Sequence, residues 1–295
     1  MNRERVILDT DPAIGVKFRD LDDGLAILFL LASPEVHLEG LTINFGNVDA
    51  DRGLEAAREV LRVAGADTPV YPGSTSKTDL GTMSPAVEFM IETVKANPKK
   101  ITVLAVAPLT NVATAMILDD TFAQNLRGLI VMGGTFSFPV FSFFGEFNFH
   151  NDGVSASRVI RAHVPKILIT MDVCSQAVFQ DRHLALIREK NSRVAEYLAE
   201  VIPHWLNLNK KVFFRKKGFF PWDPVAAAYL IDKTLFDDNR YTLDVSQTGP
   251  RAGRLVNSRI LSSEDEKDTP AAVTVPLRLD GERFMELLLE RLLSL

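Results

Sequence analysis

The chain has 295 residues, is 46% hydrophobic and 24% charged, and carries a formal net charge of −5. These are ordinary globular proportions with room for a sizeable core. There is no basic excess to neutralise phosphates, which argues against a nucleic-acid partner, and the longest apolar run, LAILFLLA, is far short of the ~20 residues that span a bilayer. The single cysteine, Cys174, has no partner for an intrachain disulfide. With MNRERVILDT leading straight into a strand and no apolar leader, the reading is a cytoplasmic chain with no membrane partner.

In chain order, RVILD reads as a strand, DDGLAILFLLAS as a helix and LEGLTINF as a strand. DADRGLEAAREVLRVAG reads as a helix, with Leu54, Ala57, Leu61 and Ala64 near helical spacing and Gly65 past its end. ITVLAVA, LRGLIVMGG and KILITMDV read as further strands, alternating with helices LTNVATAMIL and GVSASRVIRAH. This alternation predicts an α/β fold: an open, mostly parallel Rossmann-like sheet flanked by helices. The strands are nearly continuous in apolar character, as expected when both faces are covered. The C-terminal third is partly helical: RHLALIREK, RVAEYLAEVIPHWLNLNKK and DPVAAAYLID. A hairpin from YTLDVSQTG and GRLVNSRI, a last strand AAVTVPLRL and a closing helix GERFMELLLERLL complete one domain over residues 1–295.

The stretch ILDTDPAIGVKFRDLDDGLAIL gathers Asp9, Asp11, Asp20, Asp22 and Asp23 where a core strand turns into a core helix. Ligands of parallel α/β sheets bind at such strand ends. Asp22 and Asp23 singly could be helix-terminal acids, favoured by the macrodipole. Clustered carboxylates repel one another, and a hard cation such as calcium or magnesium is the natural neutraliser.

A strand ending D-x-D-P, followed by D-D and an apolar helix, resembles the signature of the inosine–uridine nucleoside hydrolase family. The blocks NFGN, APLTNVA, VMGG, EFNF and WDPVAAAYL follow in the family's order and extend the resemblance over nearly the whole chain. It implies hydrolysis of the N-glycosidic bond of ribonucleosides, with a bound Ca²⁺. Carried across, Asp11, Asp23 and Asp223 would be metal carboxylates, and Thr110 would add its backbone carbonyl. Asp11 would also be the general base, taking a proton from the attacking water, by analogy with inverting glycosidases. Asp22, Asn47 and Asn148 would bind the 2′ and 3′ hydroxyls, Glu146 the 5′ end, and Met132 would line the sugar. Relatives are dimers or tetramers, so a homodimer or homotetramer is expected. Taken singly, Asn47 and Asn148 fit turns, Met132 fits a core, and Thr110 fits a helix cap.

The chain departs from the family pattern in four places. Gly15–Leu21 is inserted between D-x-D-P-A-I and D-D, where it forms either an extra wall or a solvated loop, and Ala13 replaces the usual glycine. Trp222 stands where many pyrimidine-cleaving members carry a leaving-group histidine. Tryptophan is no acid but stacks on a flat base, which favours purine nucleosides. FSFPVFSFF is strongly apolar, and Val140 falls where many members have a 5′-hydroxyl-binding asparagine. STSKTDLGTMSPAVEF lacks a histidine found in some relatives, leaving His150 as the nearest histidine to the expected pocket, read as a local hydrogen-bonding group. NKKVFFRKKGFF is either a cover for the base or a charged run with aromatic anchors.

Two other classes compete. A D-x-D phosphatase of the haloacid dehalogenase type would use the first aspartate as nucleophile, but MDV is the nearest candidate for its later acidic motif and lacks the second acid. A non-catalytic or unusual-substrate ribosyl-binding protein on the same scaffold would have no need of Asp11, Asp23 and Asp223 together, but the missing leaving-group histidine keeps that alternative open.

Overall fold

Nine short runs of the chain pair into one sheet. They are β1 (Glu4–Thr10), β2 (Val36–Ile43), β3 (Val70–Pro72), β4 (Ile101–Ala105), β5 (Gly128–Met132), β6 (Lys166–Ile169), β7 (Phe236–Val245), β8 (Leu255–Ile260) and β9 (Val273–Leu279). The computed structural model describes residues 3–136, 145–211, 217–261 and 272–295. The sheet order is β3-β2-β1-β4-β5-β6-β9-β7-β8. From β3 to β9 neighbouring strands are parallel, and β7 is antiparallel to both β9 and β8. The expected mostly parallel sheet is present. The last strand lies inside it, between β6 and the hairpin, an order that local patterning does not encode.

The chain runs outward from β1 to β2 and β3, then returns to the other side of β1 with β4, β5 and β6. That reversal opens a crevice at the carboxyl ends of β1 and β4, the switch point where α/β sheets bind ligands.

The helices follow the apolar pattern. Ala50–Ala64 is capped by the Asp49 side chain, which accepts from the Arg52 N–H, and ends at Gly65 in left-handed backbone (φ 67°). Such a turn is open to glycine at little steric cost. Asp22–Leu31 and Trp222–Ile231 differ: each is apolar around most of its circumference, and each is buried along most of its length. They pack against each other, with Gly281–Leu292 closing over the first. A helix Pro85–Ala96, capped by Ser84, and the short strand β3 have no counterpart among the elements expected from the sequence. The end of KILITMDV is a correction: β6 stops at Ile169, and Met171–Cys174 turns into a short helix. Asp172 in that turn accepts from the Thr135 hydroxyl at 3.0 Å and the Phe136 N–H at 2.8 Å. Among the described residues, no helix is long and apolar enough to cross a membrane.

Candidate active site

Five adjacent strands deliver residues to one cavity of about 340 Å³. Asp20 and Asp22 follow β1, Asn47 follows β2, Val106 follows β4, Met132 ends β5 and Met171 follows β6. Glu146, Phe147 and Asn148 line another side, and Phe18, Arg19, Trp205, Trp222 and Asp223 complete the wall.

The floor is acidic because two buried helices begin there. Asp22 and Asp23 open one, Asp223 stands in the first turn of the other, and the Asp223 N–H donates to Asp22 Oδ2 at 3.3 Å. Helix N-termini favour negative charge, which partly offsets the cost of burying these carboxylates. Carboxylate oxygens of Asp22, Asp23 and Asp223 lie within 4.8 Å of one another. Asp23 is held on three sides. Its Oδ1 accepts from the Thr10 hydroxyl at 2.5 Å and the Asp11 N–H at 3.0 Å, and its Oδ2 accepts from Asn47 Nδ2 at 3.0 Å. Asp11 Oδ2 accepts from the Asn47 N–H at 2.5 Å, whereas Asp11 Oδ1 is buried with no hydrogen-bond partner among the described residues.

Burial and mutual repulsion work on every member of the group. Burial, then the charge of Asp23, holds Asp11 well above the usual carboxylate range. Burial and Asp20 do the same to Asp22, and burial with Asp22, Asp23 and Asp11 to Asp223. Asp23 is pushed up to about 7 and Asp20 to about 6, chiefly by burial. Asp9, behind the site, is also pushed up to about 7 by burial, although Thr42 and Asn111 each donate to its Oδ1 at 2.8 Å. Carboxyls in this state are protonated or share a cation. The buried oxygen-only donor set, with an unpartnered Asp11 oxygen beside it, fits a hard divalent ion.

The opposite wall is built on backbone. Glu146 accepts from the N–H groups of Gly134, Asn148 and Phe149 at 2.9, 2.8 and 3.0 Å. Those bonds favour its charged form, yet burial prevails and its pKa is raised. Asn148 Nδ2 donates to the Val106 carbonyl at 2.8 Å, tying the wall to the end of β4. The Met132 thioether Sδ lies 3.6 Å from the same Nδ2. Thr110 is buried at the start of Thr110–Leu118, its hydroxyl donating to Asp152 at 2.7 Å. Trp222 packs against Phe220 with ring centroids 4.9 Å apart.

A family model described as inosine-uridine preferring nucleoside hydrolase matches residues 6–286. The chain belongs to that family. It is 27% identical to a probable uridine nucleosidase 2 of Arabidopsis thaliana, over 99% of this chain and 98% of that one. A solved plant nucleoside hydrolase, the PpNRh1 enzyme, superposes with a TM-score of 0.86 at 25% identity over 100% of both chains. A purine-preferring ribonucleoside hydrolase from Gardnerella vaginalis shares the fold, with a TM-score of 0.84 at 23% identity over 98% of both chains.

For a nucleoside hydrolase, the sequence-derived residues fall into two groups. Asp22, Asn47, Met132, Glu146, Asn148, Trp222 and Asp223 line the cavity; Asp11 and Asp23 are buried and hydrogen-bonded to Asn47, and Thr110 is tied to Asp152. The oxygens that cluster are those of Asp22, Asp23 and Asp223, so Asp22 joins the carboxylates expected to hold the ion. Part of the insertion is a wall: Phe18, Arg19 and Asp20 line the cavity, while Gly15 and Lys17 are exposed and not in its lining. His150 Nδ1 is 3.0 Å from the Ala252 carbonyl oxygen, and the residue is not in the lining. Phe219 belongs to the core, stacked on Phe179 with centroids 4.9 Å apart, so this part of NKKVFFRKKGFF does not cover a base. Val140 and residues 212–216 lie outside the described residues. Val106 and Met171 were not singled out in the sequence, though each directly follows an apolar strand run, a signal that could have found them. Trp205 carries no such signal, because it reaches the cavity from the helix Arg193–Lys211.

Proposed function

We propose that this nucleoside hydrolase cleaves purine ribonucleosides to free base and ribose with Ca²⁺ bound among its aspartates. The observation that carries the reading is the buried cluster of Asp22, Asp23 and Asp223 on the cavity floor, beside an Asp11 oxygen with no hydrogen-bond partner among the described residues. Asp11, Asp23, Asp223 and the Thr110 carbonyl would hold the ion, with Asp22 adjoining. When bound, it supplies positive charge that neutralises the carboxylates and makes a nearby water more acidic. Calcium suits an all-oxygen set better than a softer-ligand metal does.

The chain's own residues do the rest. Asp11 takes a proton from the water that attacks the anomeric carbon. Its pKa is raised by burial and by Asp23, so the cation's presence is what keeps it an available base. Asp22, Asn47 and Asn148 hold the 2′ and 3′ hydroxyls and fix the sugar against the floor. Glu146, oriented by three backbone N–H groups, receives the 5′ end. Met132 packs against the sugar and Trp222 stacks on the base.

Trp222 in place of a histidine supports purine nucleosides. A second reading, pyrimidine nucleosides, is favoured by the likeness to a probable uridine nucleosidase over nearly the full length. Chromatographic product analysis on inosine, guanosine, adenosine, uridine and cytidine, with calcium or with a chelator, separates them. Calcium-dependent release of purines above pyrimidines is the expected result, and release of uracil alone overturns the purine reading. The oligomeric reading, a homodimer or homotetramer, is checked by light scattering on the same sample.

A further inference from the structure

We propose that Arg19, on the inserted segment, stabilises the departing base during cleavage. The inference rests on the reading of the cavity as a nucleoside site. Breaking the C1′–N bond leaves its electron pair on the base nitrogen, so negative charge develops there. An acid can quench that charge with a proton, or a fixed cation can balance it.

The described lining of the cavity contains no histidine, and its ionisable groups other than Arg19 are all carboxyls: Asp20, Asp22, Glu146 and Asp223. Those groups repel an anionic leaving group. Arg19 is the one cation among the described lining residues, and it has no ion pair among them. It also borders a smaller cavity against the helix Arg193–Lys211, which it shares with Phe18 and Trp205, so it stands at the aromatic side of the pocket.

The segment that carries it is held in place. The Val16 N–H donates to the Ala13 carbonyl at 3.0 Å and the Arg19 N–H to the Val16 carbonyl at 3.3 Å. Asp20 Oδ1 accepts from the Leu21 N–H at 2.7 Å. Between these bonds Phe18 adopts φ 64°, a left-handed conformation uncommon for a residue with a side chain.

A guanidinium does not give up its proton at working pH, so it is no substitute acid. It does offer planar N–H donors and a permanent charge, which form short charge-assisted hydrogen bonds to an anionic heteroatom. The step balances without a co-reactant. The water oxygen bonds to C1′, its proton goes to Asp11, and the electron pair of the C1′–N bond stays on the base. The base leaves paired with Arg19 and is protonated by solvent.

The test compares nucleosides with 4-nitrophenyl β-D-ribofuranoside, whose leaving group is a stable anion that needs no help. Wild type, Arg19→Ala and Arg19→Lys are assayed with calcium on inosine, uridine and the nitrophenyl riboside. Expected for Arg19→Ala is a fall in nucleoside kcat of about 100-fold, the usual effect of removing one donor aimed at developing charge. Activity on the nitrophenyl riboside stays within about threefold, which also shows that the variant is folded, and Arg19→Lys recovers part of the nucleoside loss. A nucleoside kcat unchanged in Arg19→Ala, or an equal fall on both kinds of substrate, overturns the role of Arg19 and leaves the nucleosidase reading intact. Wild-type protein that cleaves neither substrate overturns both.

Discussion

The Asp11 N–H donates to Asp23 Oδ1 at 3.0 Å, across a segment that the family pattern does not contain. The end of β1 and the start of the next helix are therefore tied directly to each other, with Gly15–Leu21 between them in the chain. Asn47 secures the pair from β2, its N–H on Asp11 and its Nδ2 on Asp23. Phe18, Arg19 and Asp20 of the insertion line the cavity above that floor.

Asp11→Asn keeps the shape of the side chain and removes the base. Steady-state kinetics should show kcat reduced about 1,000-fold or more, within or beyond the range of a general base, while the circular dichroism spectrum is unchanged. An active Asp11→Asn enzyme would remove Asp11 from the mechanism.

Asp223→Asn removes one charge from a group of mutually repelling carboxyls. In chelator, the variant should melt about 2 °C or more above wild type, since ~1 kcal/mol of relieved repulsion shifts Tm by a few degrees in a domain of this size. Calcium at ~100 times its Kd should add about 2.7 kcal/mol to wild type and clearly less to the variant. Equal calcium-induced shifts in differential scanning calorimetry would exclude Asp223 as a ligand.

Gly46→Ala tests the packing of the base. A Cβ at Gly46 would lie 1.9 Å from Asp11 Oδ2, so the carboxylate or its turn must move. Overpacking of this kind costs about 1–3 kcal/mol. The urea midpoint should fall accordingly, and kcat should fall more steeply than KM changes, because Asp11 is the group displaced.

His183 makes the fold acid-sensitive. The Gln180 N–H donates to its Nδ1 at 3.0 Å, and burial together with the Arg182 charge lowers its pKa from 6.5 to about 4. Between pH 6.5 and about 4 the unfolded chain binds a proton that the folded ring resists. The unfolded state therefore gains, and the contribution of His183 to stability falls as pH drops through that window. His183→Gln keeps an acceptor without the titration, so its stability should depend less on pH there, as measured by urea unfolding at pH 4.5, 5.5 and 6.5.

The sequence by itself determined the alternation of strands and helices, because apolar spacing is a local property of each run. It also determined the acidic turn after β1 and the order of the family blocks, since D-x-D-P, D-D and WDP are short and contiguous. Tertiary structure alone decided that Asp223 meets Asp22 and Asp23 across about 200 residues, through two buried helices whose pairing is a long-range packing choice. It decided too that β9 enters the sheet beside β6, and that Met171 opens a helix, since strand order depends on partners distant in sequence. The inserted Phe18-Arg19-Asp20 could be a solvated loop or a wall on local grounds. In the fold the Arg19 N–H donates to the Val16 carbonyl, Asp20 accepts from the Leu21 N–H, and all three residues line the cavity, a placement set by neighbours distant in sequence.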